Sequence, residues 1–450
     1  MPLPASAKIL LGALTLPALL VLAVATPASA ANPAPPVTPI PVGGYPIAVA
    51  FSPDGATAYV ANETSDSVSV VDTASGSVVT TIPVGSTPFA IAVAPDGTAV
   101  YVADYGAAAV SVIDTATSTV VATHPTPPFP GGLALSPDGA VVYVSSFSTS
   151  TVTAYDSATW TQIATAPVSA GPFPVAASAT AVAVAGLNGN SVTCLSPDLS
   201  TTIGAAPVAS MPQGIAIGPD GTTAAVTSLA AGEVTLVDLS DCTASTSYAV
   251  GVSPLGVTFT PDGSRVLVAN AADGTISVLD LADGTVMATS TIAGPGGIAV
   301  SRDGSTLAVT GQTTDVLALY ALPTVSAPTD VTVADGQTAS FQVTTGGAPD
   351  SVGWQRSDDG GTTWSTIAGA SGTAYAFGAT ASDDGARFRA VAASTPWGSA
   401  ISAAATLTVT AAGPQLAATG AAPAGPLLLA ALLLLLGLVA LTATRRARRR

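Results

Sequence analysis

A segment close to P-V-G-x-x-P-x-x-x-A-x-x-P-D-G-x-x-x-Y-V-A recurs about every 42 residues along this 450-residue chain, and no other feature restricts its fold as much. The clearest copies begin at Pro41, Pro83 and Val250. The Asp of the Pro-Asp-Gly turn recurs at Asp54, Asp96, Asp138, Asp220 and Asp262, with Asp303 in a Ser-Arg-Asp-Gly variant. One interval is 82 residues instead of 41 or 42, and it spans a unit near residues 176–185 that has lost the turn. A second marker agrees: Asp72, Asp114, Asp156, Ser196, Asp238, Asp280 and Tyr320 are 40 or 42 residues apart. Both counts give seven units.

A period in the low forties built from short β-rich runs predicts a β-propeller, with one four-stranded blade per unit. The first run of a unit, such as residues 47–51 or 91–94, is apolar at nearly every position. That suits a strand packed on both faces by neighbouring blades. In the turn that follows, Pro presets φ, Asp bonds the backbone and Gly takes the left-handed position. The second strand contains Tyr59, Tyr101 or Tyr143; the third covers residues 68–72 or 110–114; the fourth covers 78–84 or 120–124. The last unit has only three strands, and an extra strand at residues 38–42 precedes the first. Pairing these two ends closes the ring and removes its open edges.

The second strand and its next residue read Tyr-Val-Ala-Asn at Tyr59–Asn62, Tyr-Val-Ala-Asp at Tyr101–Asp104 and Val-Ala-Asn at Val268–Asn270. These repeats resemble the YVTN family of β-propellers over residues 37–323. The resemblance implies the fold; such propellers include surface-layer proteins, adhesion-like modules and some enzymes, so it leaves function open.

The two ends of the chain carry targeting patterns. Lys8 precedes an apolar run at 9–25 and a small-x-small site, which predicts a signal peptide over 1–30 cut between Ala30 and Ala31. Near the C-terminus come Leu416, Ala417, Ala418, Thr419 and Gly420, a linker to 425, an apolar span at 426–444 and a basic tail at 445–450. That span is just long enough to cross a bilayer as a transmembrane helix, and terminal arginines hold such a tail inside. The order resembles a cell-wall sorting signal of the Leu-Ala-x-Thr-Gly type used by class E sortases of high-GC Gram-positive bacteria. It implies cleavage after Thr419 by sortase and attachment to cell-wall peptidoglycan; the plainer alternative is a membrane anchor.

Between Ala31 and Thr419 five arginines stand against all 27 acids, a formal net charge of −22. Nucleic-acid binding needs the opposite sign, so no nucleic-acid partner is expected. Most of the acids are Asp at turns, where local bonding favours them. Cys194 and Cys242 are the only cysteines. In an exported protein they either bridge neighbouring blades or, in the case of Cys194, serve as a buried apolar residue.

After residue 328 the rhythm stops. Residues 329–411 show short strands with turn signals, with Trp354 in mid-strand, and Asp358-Asp359-Gly360 and Asp383-Asp384-Gly385 ahead of further strands. These features resemble a bacterial Ig-like β-sandwich, which implies a stalk. No cysteine pair crosses its sheets, and Phe388 stands where a tyrosine corner would place a hydroxyl.

Catalytic groups are scarce. His124 is the only histidine, which rules out a His/Cys zinc cluster, and there is no nucleophile elbow or phosphate loop. Read functionally it is a base or ligand; otherwise it is an ordinary strand residue. Asp66, Asp104, Asp273, Asp315, Glu63 and Glu233 fall in loops on one face of the ring, without a calcium-loop pattern. Neither a catalytic residue nor a metal or other cofactor is expected. Aromatic residues are the better clue: Tyr45, Phe89, Tyr105, Phe129, Phe147 and Phe173 belong to loops of that face in blades 1 to 4, whereas blades 5 to 7 carry Gln213, Leu255 and Gly296. They either contact a ligand or fill space between blades, and Trp397 in a Pro-Trp-Gly hairpin tip is a further candidate contact.

The expectation is an all-β chain: a seven-bladed β-propeller, an Ig-like sandwich, a signal peptide and a C-terminal transmembrane helix. Its expected role is that of an exported, envelope-anchored and non-catalytic surface protein binding an extracellular protein or glycan. The alternatives are a lactonase- or lyase-like enzyme of the propeller channel and a purely structural coat.

Overall fold

The computed structural model describes residues 32–33, 38–395 and 397–411. The signal peptide and its Ala30–Ala31 site, the Leu416 to Gly420 motif, the span at 426–444 and the basic tail therefore lie outside the described residues. Among the described residues no helix is long and apolar enough to cross a membrane.

Seven antiparallel sheets form a β-propeller. Blade 1 shows the pattern, with strands at Pro46–Phe51, Thr57–Asn62, Ser67–Asp72 and Ser77–Pro83 from axis to rim. The innermost strands of consecutive blades pack side by side, and Pro295–Val300 of blade 7 packs on Pro46–Phe51 of blade 1. Closure is by the N-terminal segment: Ile40 pairs with Leu317 and Pro41 with Val316, completing blade 7. One pairing was not anticipated, since Asn32 and Pro33 lie parallel to Thr289 and Ser290 on the rim of blade 6.

The layers differ in burial from the sequence reading. The inner strand is only half-buried, because one of its faces lines the axis, whereas the second strand is the most enclosed. Inner strands begin at proline in every blade (Pro46, Pro88 and Pro130 in the first three), where a missing N–H costs no ladder bond. The Asp residues that end the third strands cap the turns after them. Asp72 Oδ1 accepts from the Ser75 amide at 2.7 Å, and Asp114 and Asp156 repeat this with Thr117 and Thr159 at 2.8 Å.

The glycine of the repeated Val-Gly pair makes room for the residue after Tyr-Val-Ala. A Cβ on Gly85 would lie 2.6 Å from Asp104 Cγ, and one on Gly43 would lie 2.6 Å from Asn62 Cγ. Asn62 donates from Nδ2 to the Ser67 and Ser69 hydroxyls, and Asn270 does the same to Thr275 and Ser277. Asp104 takes that place in blade 2, fully buried, and accepts from the Ser111 hydroxyl at 2.6 Å.

The second module packs two sheets around Trp354, Phe341 and Phe388. One sheet runs Val331–Ala334, Ala405–Thr410, Arg387–Ser394, Ser351–Ser357, Ser365–Ser371; the other pairs Thr338–Gln342 with Ala374–Gly378. The Trp354 indole N–H donates to the Gly372 carbonyl at 3.0 Å, and Phe388 stacks on Phe341 at 4.6 Å.

Candidate functional site

One backbone device builds the mouth of the central channel. In each blade the first residue of the loop after the second strand is Glu63, Tyr105, Phe147, Leu187, Leu229, Ala271 or Gln312. Its N–H donates to the carbonyl of the residue preceding the inner-strand proline, namely Tyr45, Thr87, Phe129, Gly171, Met211, Ser253 or Gly294, at 2.9 to 3.0 Å. These acceptors sit in the left-handed region, with φ of 53° at Tyr45 and 59° at Phe129. Such a backbone costs a non-glycine residue on the order of 1 kcal/mol. The bond locks it, and in two blades so does a carboxylate: Asp315 Oδ1 accepts from the Tyr45 amide and Asp66 Oδ1 from the Thr87 amide, both at 2.8 Å.

All seven loop-first residues face one cavity of about 1050 Å³, together with residues that follow the prolines, such as Ile47, Phe89, Phe173, Gln213 and Leu255. The wall is divided into sectors. Blades 2 to 4 contribute Phe89, Tyr105, Phe129, Phe147 and Phe173; blades 4 to 6 contribute Leu187, Leu229 and Leu255; blades 7 and 1 contribute Gln312 and Glu63. Phe173 is the hub of the aromatic sector, with ring centroids 5.0 Å from Phe89, 5.1 Å from Phe147 and 5.9 Å from Tyr105. Phe89 and Phe173 belong to blades 2 and 4, and they meet because blade 3 has Gly131 between them. A Cβ there would stand 3.1 Å from Phe173 Cδ1.

Burial raises two carboxyls on this face, those of Asp104 and Glu63, and of the two the cavity is lined only by Glu63. Glu63 Oε2 is buried without a hydrogen-bond partner. The Tyr45 phenol is raised by burial and then by the Glu63 charge, and the Tyr105 phenol by burial. The other loop acids are engaged. Asp66 and Asp315 hold amides as described, Asp273 Oδ2 accepts from the Val252 amide at 2.8 Å, and Asp104 is in its internal bond with Ser111. Burial raises Asp104 to about 6. Glu233 begins the third strand of blade 5 and does not line the cavity. Among the described residues no group of three His, Cys, Asp or Glu side chains could hold a metal ion.

The structure thus brings Tyr45, Phe89, Tyr105, Phe129, Phe147 and Phe173 together, half-buried around a concavity and not on a flat face. Trp397 is a correction. It is 4 % exposed, packed at 5.3 Å on Tyr320 of blade 7 in one apolar cluster with Leu322, so no face is left for a ligand. The Arg265 guanidinium donates to the Ser399 carbonyl at 2.9 Å across the same junction, so the second module is docked on the propeller. His124 lies on the rim, stacked at 4.4 Å on Trp160, with burial lowering its pKa. Cys194 and Cys242 form a disulfide joining blades 4 and 5. Sequence reasoning grouped Glu63 with the other acids and passed over Gln312, Leu187 and Leu229. Aligning the units on the residue after Tyr-Val-Ala-Asn would have placed all four in one ring.

Residues 26–161 match a family described as lactonase, 7-bladed beta-propeller, and residues 323–411 match a domain of unknown function (DUF8696). No curated protein matches the chain. Among solved structures, a chain of Kuenenia stuttgartiensis hydrazine synthase superposes with a TM-score of 0.56 at 19% identity, covering 62% of this chain and 95% of that one. At that identity the likeness concerns the fold.

Proposed function

We propose that this chain is an exported, envelope-anchored binding protein whose propeller captures a small, largely apolar ligand at the mouth of its central channel. The observation that carries this reading is the convergence of six aromatic side chains from blades 1 to 4 on one cavity of about 1050 Å³. Concave, mostly apolar walls with a few polar groups at one side are the usual form of a small-molecule site. The concavity favours a small ligand over a flat protein partner. The second module fits the Ig-like reading through its two sheets around Trp354. Export and sorting by sortase at Thr419 rest on the terminal sequence patterns.

A thermal-shift screen of small ring-bearing compounds on wild type and Phe173→Ala tests the site. Hits should lose about tenfold in affinity in the variant, as expected when an aromatic anchor is removed. Unchanged affinities would count against the reading. Envelope fractionation of Thr419→Ala tests the anchor: the protein should leave the wall fraction for the membrane.

A second reading, a lactonase-type enzyme, is favoured by the family match at residues 26–161 and by Glu63, a partner-free carboxylate in the cavity wall with the raised pKa of a general base. Lactone opening by wild type that is lost in Glu63→Gln would establish it.

A further inference from the structure

The sign of charge in the cavity has a consequence for its ligand. Among the described residues, the ionisable side chains lining it are Glu63, Asp66 and the phenols of Tyr45 and Tyr105, and no Lys, Arg or His lines it. On the same face of the ring the loops after the second strands add Asp273 and Asp315, while Arg265 and Arg302 lie at the turns joining first and second strands, on the opposite face. The walls therefore focus a negative potential, and an anionic ligand would be repelled. Aromatic faces carry the negative side of their quadrupole, so the Phe173 cluster also favours positive charge. Glu63 Oε2 is buried and has no donor from the protein. A buried carboxylate is costly until a charged or hydrogen-bonding partner meets it.

We propose that the cavity takes a free small organic ammonium ion, with its apolar body against the Phe173 cluster and its charge between the aromatic faces and the Glu63 carboxylate. This rests on the binding reading above and narrows it to a ligand class. A volume of about 1050 Å³ accommodates such a molecule whole. A phospholipid head group fits poorly, because its phosphate would enter the same negative field.

The test compares three probes of similar shape on the full-length protein at pH 8 and low salt: benzyltrimethylammonium, its uncharged isostere neopentylbenzene, and the anion phenylacetate. Kd is read by titration with ligand-observed NMR. The cation should bind about tenfold tighter than the isostere, the scale of a desolvated cation–aromatic contact, and phenylacetate should not bind. Glu63→Gln, which keeps the side chain's shape, should weaken the cation about tenfold and leave the isostere unchanged. Equal affinity for cation and isostere, or preference for the anion, would overturn the ammonium assignment while leaving a binding pocket in place. Binding of none of the three would overturn both readings. A cation bound equally well by Glu63→Gln would remove the role given to Glu63.

Discussion

The amide of Glu63 donates to the carbonyl of Tyr45 at 3.0 Å, and through that one bond a carboxylate and a phenol of the same blade reach the same cavity. The bond recurs in all seven blades, so the frame of the site is invariant and only the side chains on it vary. What distinguishes this propeller's mouth is the order of those side chains around the ring. They run from acid through aromatic and aliphatic to amide.

Asp104 occupies a place that asparagine fills in blades 1 and 6, and burial raises its pKa to about 6. The folded protein therefore holds a proton that the unfolded chain releases near 3.8, so stability falls as pH rises between these values and stays lowered above about 6. A shift of this size corresponds to about 3 kcal/mol as an upper figure. Asp104→Asn should stabilise the protein at pH 7.5 by about 1–3 kcal/mol in denaturant unfolding, with the gain shrinking toward pH 4. A loss of stability at pH 7.5 would show that the carboxylate has a partner that asparagine cannot replace.

The Cys194–Cys242 bridge closes a loop with a sequence separation of 48, and both sulfurs are buried. Loop entropy for that length amounts to about 4 kcal/mol. Replacing both cysteines by alanine should lower the thermal midpoint by several degrees, as should reduction under conditions that open blade 4. An unchanged midpoint would mean that the blade packing alone holds blades 4 and 5 together.

Much of this was legible in the sequence, and the reasons are local. Pro-Asp-Gly turns, the period near 42 and the three-stranded last unit are set by backbone chemistry that each unit repeats, so count and closure could be read from them. Trp397 could not, because its burial depends on Tyr320, 77 positions away in another module. Gly131 gave no signal either. Its role is to be missing a side chain where Phe89 and Phe173 meet from blades on either side of it. Glu63 stands apart from Asp66, Asp104, Asp273 and Asp315 because it lines the cavity with no amide or hydroxyl bonded to Oε2, and that is a fact of geometry.

Trp397→Ala should separate the modules without unfolding either one. The indole is buried against Tyr320 and Leu322 and away from the core around Trp354. Truncating a buried Trp costs about 3–5 kcal/mol, here taken from the junction. Limited proteolysis should then cut between residues 323 and 328 faster, while the melting of the propeller stays the same. Loss of the propeller transition itself would mean that docking is part of its folding unit.

A bound cation stabilises the ionised form of Glu63, whose empty-state pKa is raised by burial, so binding releases a proton wherever that group is still protonated. Affinity for benzyltrimethylammonium should therefore rise with pH through the raised Glu63 value and level off above it. The other titratable groups lining the cavity are Asp66 and the phenols of Tyr45 and Tyr105, and both phenols are shifted upward, away from this window. In Glu63→Gln the profile should flatten, a comparison that Kd measured from pH 4 to 8 would make. A wild-type profile without slope would mean that the carboxylate is not the group that meets the charge.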